Sequence, residues 1–283
     1  MFDVLIIGSG PAGVSCALYA VRAGLDVCIV SKGMGALEQA ENIENYYGFA
    51  EPVSAKRLYD DSIANTKRLG TCLITDEIMA VEYDGGFNAV GKHGRYSAKA
   101  LLIATGSSRK APPVKGIADF TGRGVSYCAT CDAFFFRGKK VGVLGGGDFA
   151  LHEAEYLAGI CGSVTVLTNG RDAPDTDIRC DTRVLAQLYG EARLGGVTFN
   201  DGESEQYDGI FVAEGVAGAS ALALKLGAIV ENGDISVDRN MHTSIPGLFA
   251  AGDCTGGLRQ ICKAVSDGAI AATEIIKFIK RKK

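Results

Sequence analysis

The chain has 283 residues, with 29 Lys and Arg against 33 Asp and Glu, and its net charge of −4 excludes the overall basic footprint of a nucleic-acid binder. A content of 47% hydrophobic and 22% charged residues excludes disorder, and the length suits about two domains at roughly 150 residues each. The 38 glycines follow no three-residue period, which excludes collagen and predicts many tight turns and close backbone approaches.

Phe2–Ile7 opens the chain as a strand with no basic stretch before it. No apolar run reaches the ~18 residues of a membrane helix; Val216–Val230 is apolar but carries Lys225. The expectation is a cytoplasmic protein without signal peptide, membrane or nucleic-acid partner. Nine cysteines in that setting read as thiols, metal ligands or redox centres, not as a disulfide framework.

In chain order, Asp3–Ile7, Gly8-Ser9-Gly10-Pro11-Ala12-Gly13, Val14–Ala23, Gly24 and Asp26–Val30 read as strand, glycine turn, helix, stop and strand. Pro11 suits an early helical position and Gly24 the left-handed residue that follows a helix. In this βαβ setting the glycines predict a dinucleotide site: they admit a pyrophosphate close to the backbone, and the helix N-terminus offers free N–H groups. The bland reading is a structural glycine turn. The ribose-binding acid expected at the end of the second strand is absent, because that strand ends Val30-Ser31-Lys32.

Ala100–Ile103 predicts a buried strand running into the turn Ala104-Thr105-Gly106, and the Pro-containing stretch Ser107–Val114 a crossover between domains. A second glycine unit follows: strand Lys140–Leu144, loop Gly145-Gly146-Gly147-Asp148-Phe149-Ala150, helix Leu151–Ala158 and strand Val164–Leu167. The fold class is therefore α/β, with two Rossmann-like units as an internal repeat. Gly209–Ala213 predicts another strand, Glu214-Gly215 a return crossover, and Ala269–Ile279 an amphipathic helix.

Cys128-Ala129-Thr130-Cys131-Asp132 carries the chemistry. A CxxC pair is a redox disulfide or half of a zinc site, and zinc would want a second CxxC or a His pair. His93, His152 and His242 are scattered, so the redox reading is favoured and no metal is expected. Asp132 is placed to pass a proton to a leaving thiolate; the alternative is a solvated turn carboxylate.

Gly8–Gly13, Ala104–Gly106, Val125–Asp132 with Phe134–Lys139, Gly145–Ala150 and Thr243–Asp253 together resemble the low-molecular-weight flavin thioredoxin reductases, with Ser126–Asp132 as a specific signature. The resemblance covers nearly the whole chain. It implies the class II pyridine nucleotide-disulfide oxidoreductase architecture, with two three-layer ββα nucleotide-binding domains. The FAD domain would be discontinuous, residues 1–109 and 216–283, around an inserted, trimmed domain at 110–215. It also implies tightly bound FAD, a homodimer, and thioredoxin as the disulfide acceptor from Cys128 and Cys131. Cys131, beside Asp132, would stand nearer the flavin. The residues implied at FAD are Gly8, Gly10, Pro11, Ala12, Gly13, Asn45, Thr105, Gly106, Gly252, Asp253 (at the ribitol), and Arg259, Gln260 and Ile261 (beside the rings).

The nicotinamide end departs from the NADPH-dependent pattern. Phe149 stands where Ser or Thr is usual and His152 where Glu is usual. Thr168-Asn169-Gly170-Arg171 has one Arg where a 2′-phosphate wants a guanidinium cluster. The stretch Thr168–Asp208 is also short for the family. This combination resembles the ferredoxin-dependent flavin thioredoxin reductases of clostridia-like anaerobes, which makes NAD(P)H doubtful and ferredoxin the expected donor. The alternatives are an NADPH- or NADH-dependent reductase, a flavin dithiol oxidase, and a redox-sensing flavoprotein.

Among smaller features, Lys277, Lys280, Arg281, Lys282 and Lys283 read as a solvated helix end before they read as a ferredoxin-steering patch. Cys254 and Cys262 read as packed thiols before a second redox pair. Tyr46-Tyr47, with Asn42 and Asn45, falls in a loop that approaches the flavin in the family. Phe134–Phe136 is expected to pack the domain.

Overall fold

The computed structural model describes residues 1–106, 114–127, 129–213 and 218–281, with the side chains of Gln39, Thr130 and Cys131 left out. Cys128, most of the two expected crossovers and Lys282–Lys283 lie outside the described residues. The chain divides into two compact units, Met1–Ser108 with Gly218–Lys283, and Arg109–Ala217.

In the first unit, β1 (Phe2–Ile7) leads through the glycine turn to α1 (Pro11–Arg22) and β2 (Val27–Ser31). Val4 to Ile7 and Val27 to Val30 are buried, as the apolar runs of a parallel sheet covered on both faces should be. Gly24 takes φ +81° and closes α1, with its N–H bonded to Val21 O. Among the described residues the sheet has seven strands, in the order Cys72–Thr75, β2, β1, Arg95–Ile103, Phe87–Gly91, Ile78–Tyr83, with Leu248–Ala250 also paired to Arg95–Ile103. Arg95–Ile103 therefore serves two partners on one side. Its first half pairs antiparallel with Phe87–Gly91, and its second half runs parallel beside Leu248–Ala250.

The strand expected from Ala100 begins at Arg95, because the polar Arg95–Lys99 is held by the antiparallel meander rather than by burial. The C-terminal helix expected from Ala269 spans Ile261–Arg281. Gly268 lowers its propensity but lets it press against α1: a Cβ there would fall 2.1 Å from Ala12 O. Ser15 Oγ donates to Val265 O at 2.7 Å across the same contact. Among the described residues no helix is long and apolar enough to cross a membrane.

In the second unit, among the described residues, a five-stranded parallel sheet orders Arg179–Asp181, Ser163–Leu167, Lys140–Leu144, Gly209–Val212 and Val125–Ser126. The helix Asp148–Ala158 follows the second glycine loop and starts three residues before its expected Leu151. The short stretch Thr168–Asp208 builds Arg179–Asp181 and an antiparallel ribbon of Leu185–Gly190, Leu194–Phe199 and Ser204–Gln206.

Candidate functional site

In the first unit β1, Arg95–Ile103 and Leu248–Ala250 run parallel in register, Ile7 beside Ile103 and Ile103 beside Ala250. The loops that leave them, Gly8–Gly13, Ala104–Gly106 and Ala251–Asp253, therefore emerge at one carboxyl edge, where open α/β sheets bind ligands. Contacts join the loops. A Cβ on Gly8 (φ +111°) would fall 2.3 Å from Ala104 O, and one on Gly252 (φ +85°) 3.0 Å from Ala12 Cβ. The structure thus brings together Gly8, Gly10, Pro11, Ala12, Gly13, Thr105, Gly106, Gly252 and Asp253.

The cradle fits a dinucleotide. A Cβ on Gly13 would fall 2.0 Å from Gly8 O, so the turn closes only with glycine, whereas a Cβ on Gly10 would meet nothing within 4 Å. Space for a ligand thus lies over Gly10 while the backbone beneath is sealed. Pro11 occupies the first helical position and no side chain caps α1 among the described residues, which leaves donors at its N-terminus for an anion. Ser31, at the strand end where a ribose-binding acid would stand, is turned inward: its Oγ lies 2.8 Å from Ser9 Oγ and 3.1 Å from Gly33 O, and Tyr59 Oη lies 2.9 Å from Ser9 Oγ.

Beyond the cradle, Asn45 Nδ2 donates to Gln260 Oε1 at 2.9 Å. Ile261 packs on the small cluster of Ile43, Val53 and Ala55, alongside Tyr46, and Arg259 is exposed. Burial holds the Asp253 carboxyl above its usual range, against the opposing charges of Lys263 and Arg259. Cys254 is buried, and its thiol lies 3.3 Å from Ala251 O and 3.5 Å from Ile103 O; burial pushes its pKa up to about 12. Cys262 is exposed.

In the second unit Cys131 and Asp132 belong to the short helix Ala129–Asp132. That helix is tied to the next by Glu153, a carboxylate only 3% exposed that accepts from Ala129 N at 3.1 Å. Sequence reasoning passed over Glu153, because an acid inside a helix normally reads as solvated. Phe134–Phe136 corrects the packing expectation: Phe136 meets Phe211 at 5.3 Å, but Phe134 and Phe135 are each 69% exposed. The segment is a 3-10 turn, whose three residues per turn send consecutive side chains in three directions.

The second glycine loop differs from the first. Gly145 (φ +147°) repeats the closure of Gly8, its Cβ position lying 2.3 Å from Ala213 O. At Gly146, the counterpart of Ser9, Thr168 Cβ lies 3.4 Å and Arg171 Cβ and Cδ 3.7 Å from a Cβ position, ordinary van der Waals separations. Phe149 is buried at 3% exposure in the first helical turn. Arg179 and Arg183 belong to an ion-pair cluster with Glu205, Asp181 and Lys140: Arg179 meets Glu205 at 2.8 Å and Arg183 meets Asp181 at 2.6 Å. Among the described residues no group of three or more His, Cys, Asp or Glu could hold a metal.

Residues 2–268 match the family of the pyridine nucleotide-disulphide oxidoreductases. The chain is 34% identical to the thioredoxin reductase of Bacillus subtilis over 303 aligned positions, 99% of this chain and 95% of that protein. The chain belongs to the flavin thioredoxin reductase family of the pyridine nucleotide-disulphide oxidoreductases. Within this reductase family, the atypical thioredoxin reductase TRi of Desulfovibrio vulgaris Hildenborough superposes with a TM-score of 0.94 at 37% identity, covering 100% of this chain and 99% of that one. A ferredoxin-flavin thioredoxin reductase of Clostridium acetobutylicum superposes with a TM-score of 0.74 at 30% identity, covering 99% and 98%. The expected narrower likeness to the ferredoxin-dependent group is thus one likeness among several, beside a curated relative named simply thioredoxin reductase.

Proposed function

We propose that this protein is an FAD-dependent thioredoxin-disulfide reductase that takes electrons from reduced ferredoxin and works as a homodimer. The observation that carries the donor is Phe149, buried in the first turn of the helix that follows the second glycine loop, at the position where the first loop has the small Ala12. A phenylalanine there adds no pyrophosphate ligand, and Thr168–Arg171 offers one arginine where a 2′-phosphate wants a guanidinium cluster.

The Gly8–Gly13 turn and the α1 N-terminus would hold the FAD pyrophosphate, Asp253 the ribitol, and Asn45, Thr105, Gly106 and Arg259 to Ile261 the flavin end. When bound, FAD supplies a carrier that takes electrons singly and gives them in pairs. Cys128 and Cys131 would pass the pair on by thiol–disulfide exchange, with Asp132 giving and taking the thiol proton. The direction is favourable. Ferredoxins lie near about −400 mV and thioredoxin disulfides near about −270 mV, and that gap is worth roughly 6 kcal/mol for two electrons.

The second reading is a nicotinamide-dependent thioredoxin reductase, favoured by the intact βαβ frame of the second unit and its Gly145 closure. Anaerobic mixing of oxidised holoprotein with NADPH, NADH and reduced ferredoxin decides between them. Loss of the visible flavin absorption with ferredoxin alone, followed by thioredoxin reduction, supports the proposal. Rapid loss with either nicotinamide replaces ferredoxin as donor, and loss only with substrate dithiols followed by oxygen reoxidation points to an oxidase. Cys128→Ser is expected to keep FAD and to stop reducing thioredoxin.

A further inference from the structure

Lys263 stands in the first turn of the helix Ile261–Arg281, at the end of a helix that disfavours a cation. It does not reach into solvent. Its Nζ turns back to Gly252 O (2.9 Å), Thr255 Oγ1 (2.8 Å) and Gly256 O (2.9 Å), and pairs with Asp267 Oδ2 at 2.8 Å. Asp267 is buried, and the same Oδ2 accepts from Gly252 N at 3.1 Å. The segment Gly252–Gly256 is thus clasped at both ends by two side chains one helical turn apart.

That segment needs a clasp. Gly252 (φ +85°), Gly256 (φ +72°) and Gly257 (φ +73°) all adopt backbone conformations only glycine takes freely, and glycine orders at the highest entropic cost. Between them sits Asp253. Lys263 and Asp267 are the charged groups that face it from the helix, with Arg259 from the preceding loop.

We propose that Lys263, braced by Asp267, is the positioning residue that presets Asp253 for FAD and whose ammonium offsets the Asp253 and Asp267 carboxylates beside the site. The inference rests on the FAD reading above. Without the ammonium the two carboxylates stand uncompensated and oppose the more negative, reduced form of the bound group, so its removal should lower the midpoint potential as well as the affinity.

The test measures FAD dissociation by ultrafiltration and the midpoint potential by dye-coupled spectrophotometric titration, in wild type, Lys263→Met and Lys263→Gln. Lys263→Met is expected to bind FAD at least about tenfold more weakly and to have a lower potential. Lys263→Gln keeps two donors without the charge; it is expected to retain more affinity while its potential falls equally. If Lys263→Met does not fold, Lys263→Gln alone decides. A folded variant with wild-type affinity and potential overturns the proposal and leaves the FAD reading standing, whereas a wild-type protein that takes up no FAD overturns both.

Discussion

The side-chain amide of Asn45 donates to Oε1 of Gln260 across 2.9 Å, joining positions 215 residues apart in the chain. Both residues are exposed and both belong to loops assigned to the flavin end, so the bond fixes one loop against the other. A hydrogen bond of this kind contributes about 1 kcal/mol. Asn45→Ala and Gln260→Ala should each weaken FAD binding a few-fold, and the double variant should be little worse than either. Equilibrium FAD binding in a double-mutant cycle checks this; fully additive losses would separate the two residues.

The three glycines of the first turn should fail in different ways. Gly8→Ala and Gly13→Ala drive a methyl against backbone carbonyls at 2.3 and 2.0 Å, so both should unfold more easily even without cofactor. Gly10→Ala meets open space at an ordinary φ of −71°. Its apoprotein should melt within a few degrees of wild type, while its FAD affinity drops sharply as the methyl enters the ligand's path. Thermal melts of apoprotein beside FAD titrations distinguish the two classes.

These turns were legible because spacing alone encodes them: glycine at 8, 10 and 13 between an apolar strand and an apolar helix has few other uses. The polar strand Arg95–Lys99 was not legible, since its partner, not its own pattern, makes it a strand. Lys263 and Glu153 escaped for a related reason. A charged residue on a helix signals solvent unless one knows which backbone groups the fold brings opposite it. The inward turn of Ser31 toward Ser9 belongs to the same class, while the missing acid beside it could be read directly.

Glu153 should matter to both fold and chemistry. Glu153→Ala removes a buried acceptor from Ala129 N, and an orphaned buried N–H costs about 1–3 kcal/mol. Glu153→Gln keeps an acceptor and should lose much less. Urea unfolding would show the stability difference. Single-turnover reduction of thioredoxin by pre-reduced protein should slow in Glu153→Ala, because the Ala129–Asp132 helix carrying Cys131 loses its tether.

Asp76 gives a pH signature. Burial opposes its charge, but Tyr96 Oη at 2.6 Å and the N–H groups of Glu77 and His93 outweigh burial and hold the carboxyl below its usual range. A carboxyl depressed in the folded state stabilises above its unfolded pKa of about 4, and that contribution is lost as pH falls through the lower folded value. The stability gap between wild type and Asp76→Asn should therefore be widest at neutral pH and shrink below about pH 4. Urea midpoints across that range check it; a gap that widens on acidification would reverse the assignment.

Residues Leu101–Ile103 gain their outer neighbour only when Leu248–Ala250 arrives, and α1 gains its cover only with Ile261–Arg281. During synthesis the inserted unit, contiguous from Arg109 to Ala217, can close while the first unit still shows a bare strand edge and an apolar helix face. The part of the first unit made before the insertion is thus among the last to finish folding. A stop codon early in the helix Ile261–Arg281 would cost the first unit its fold while sparing the second.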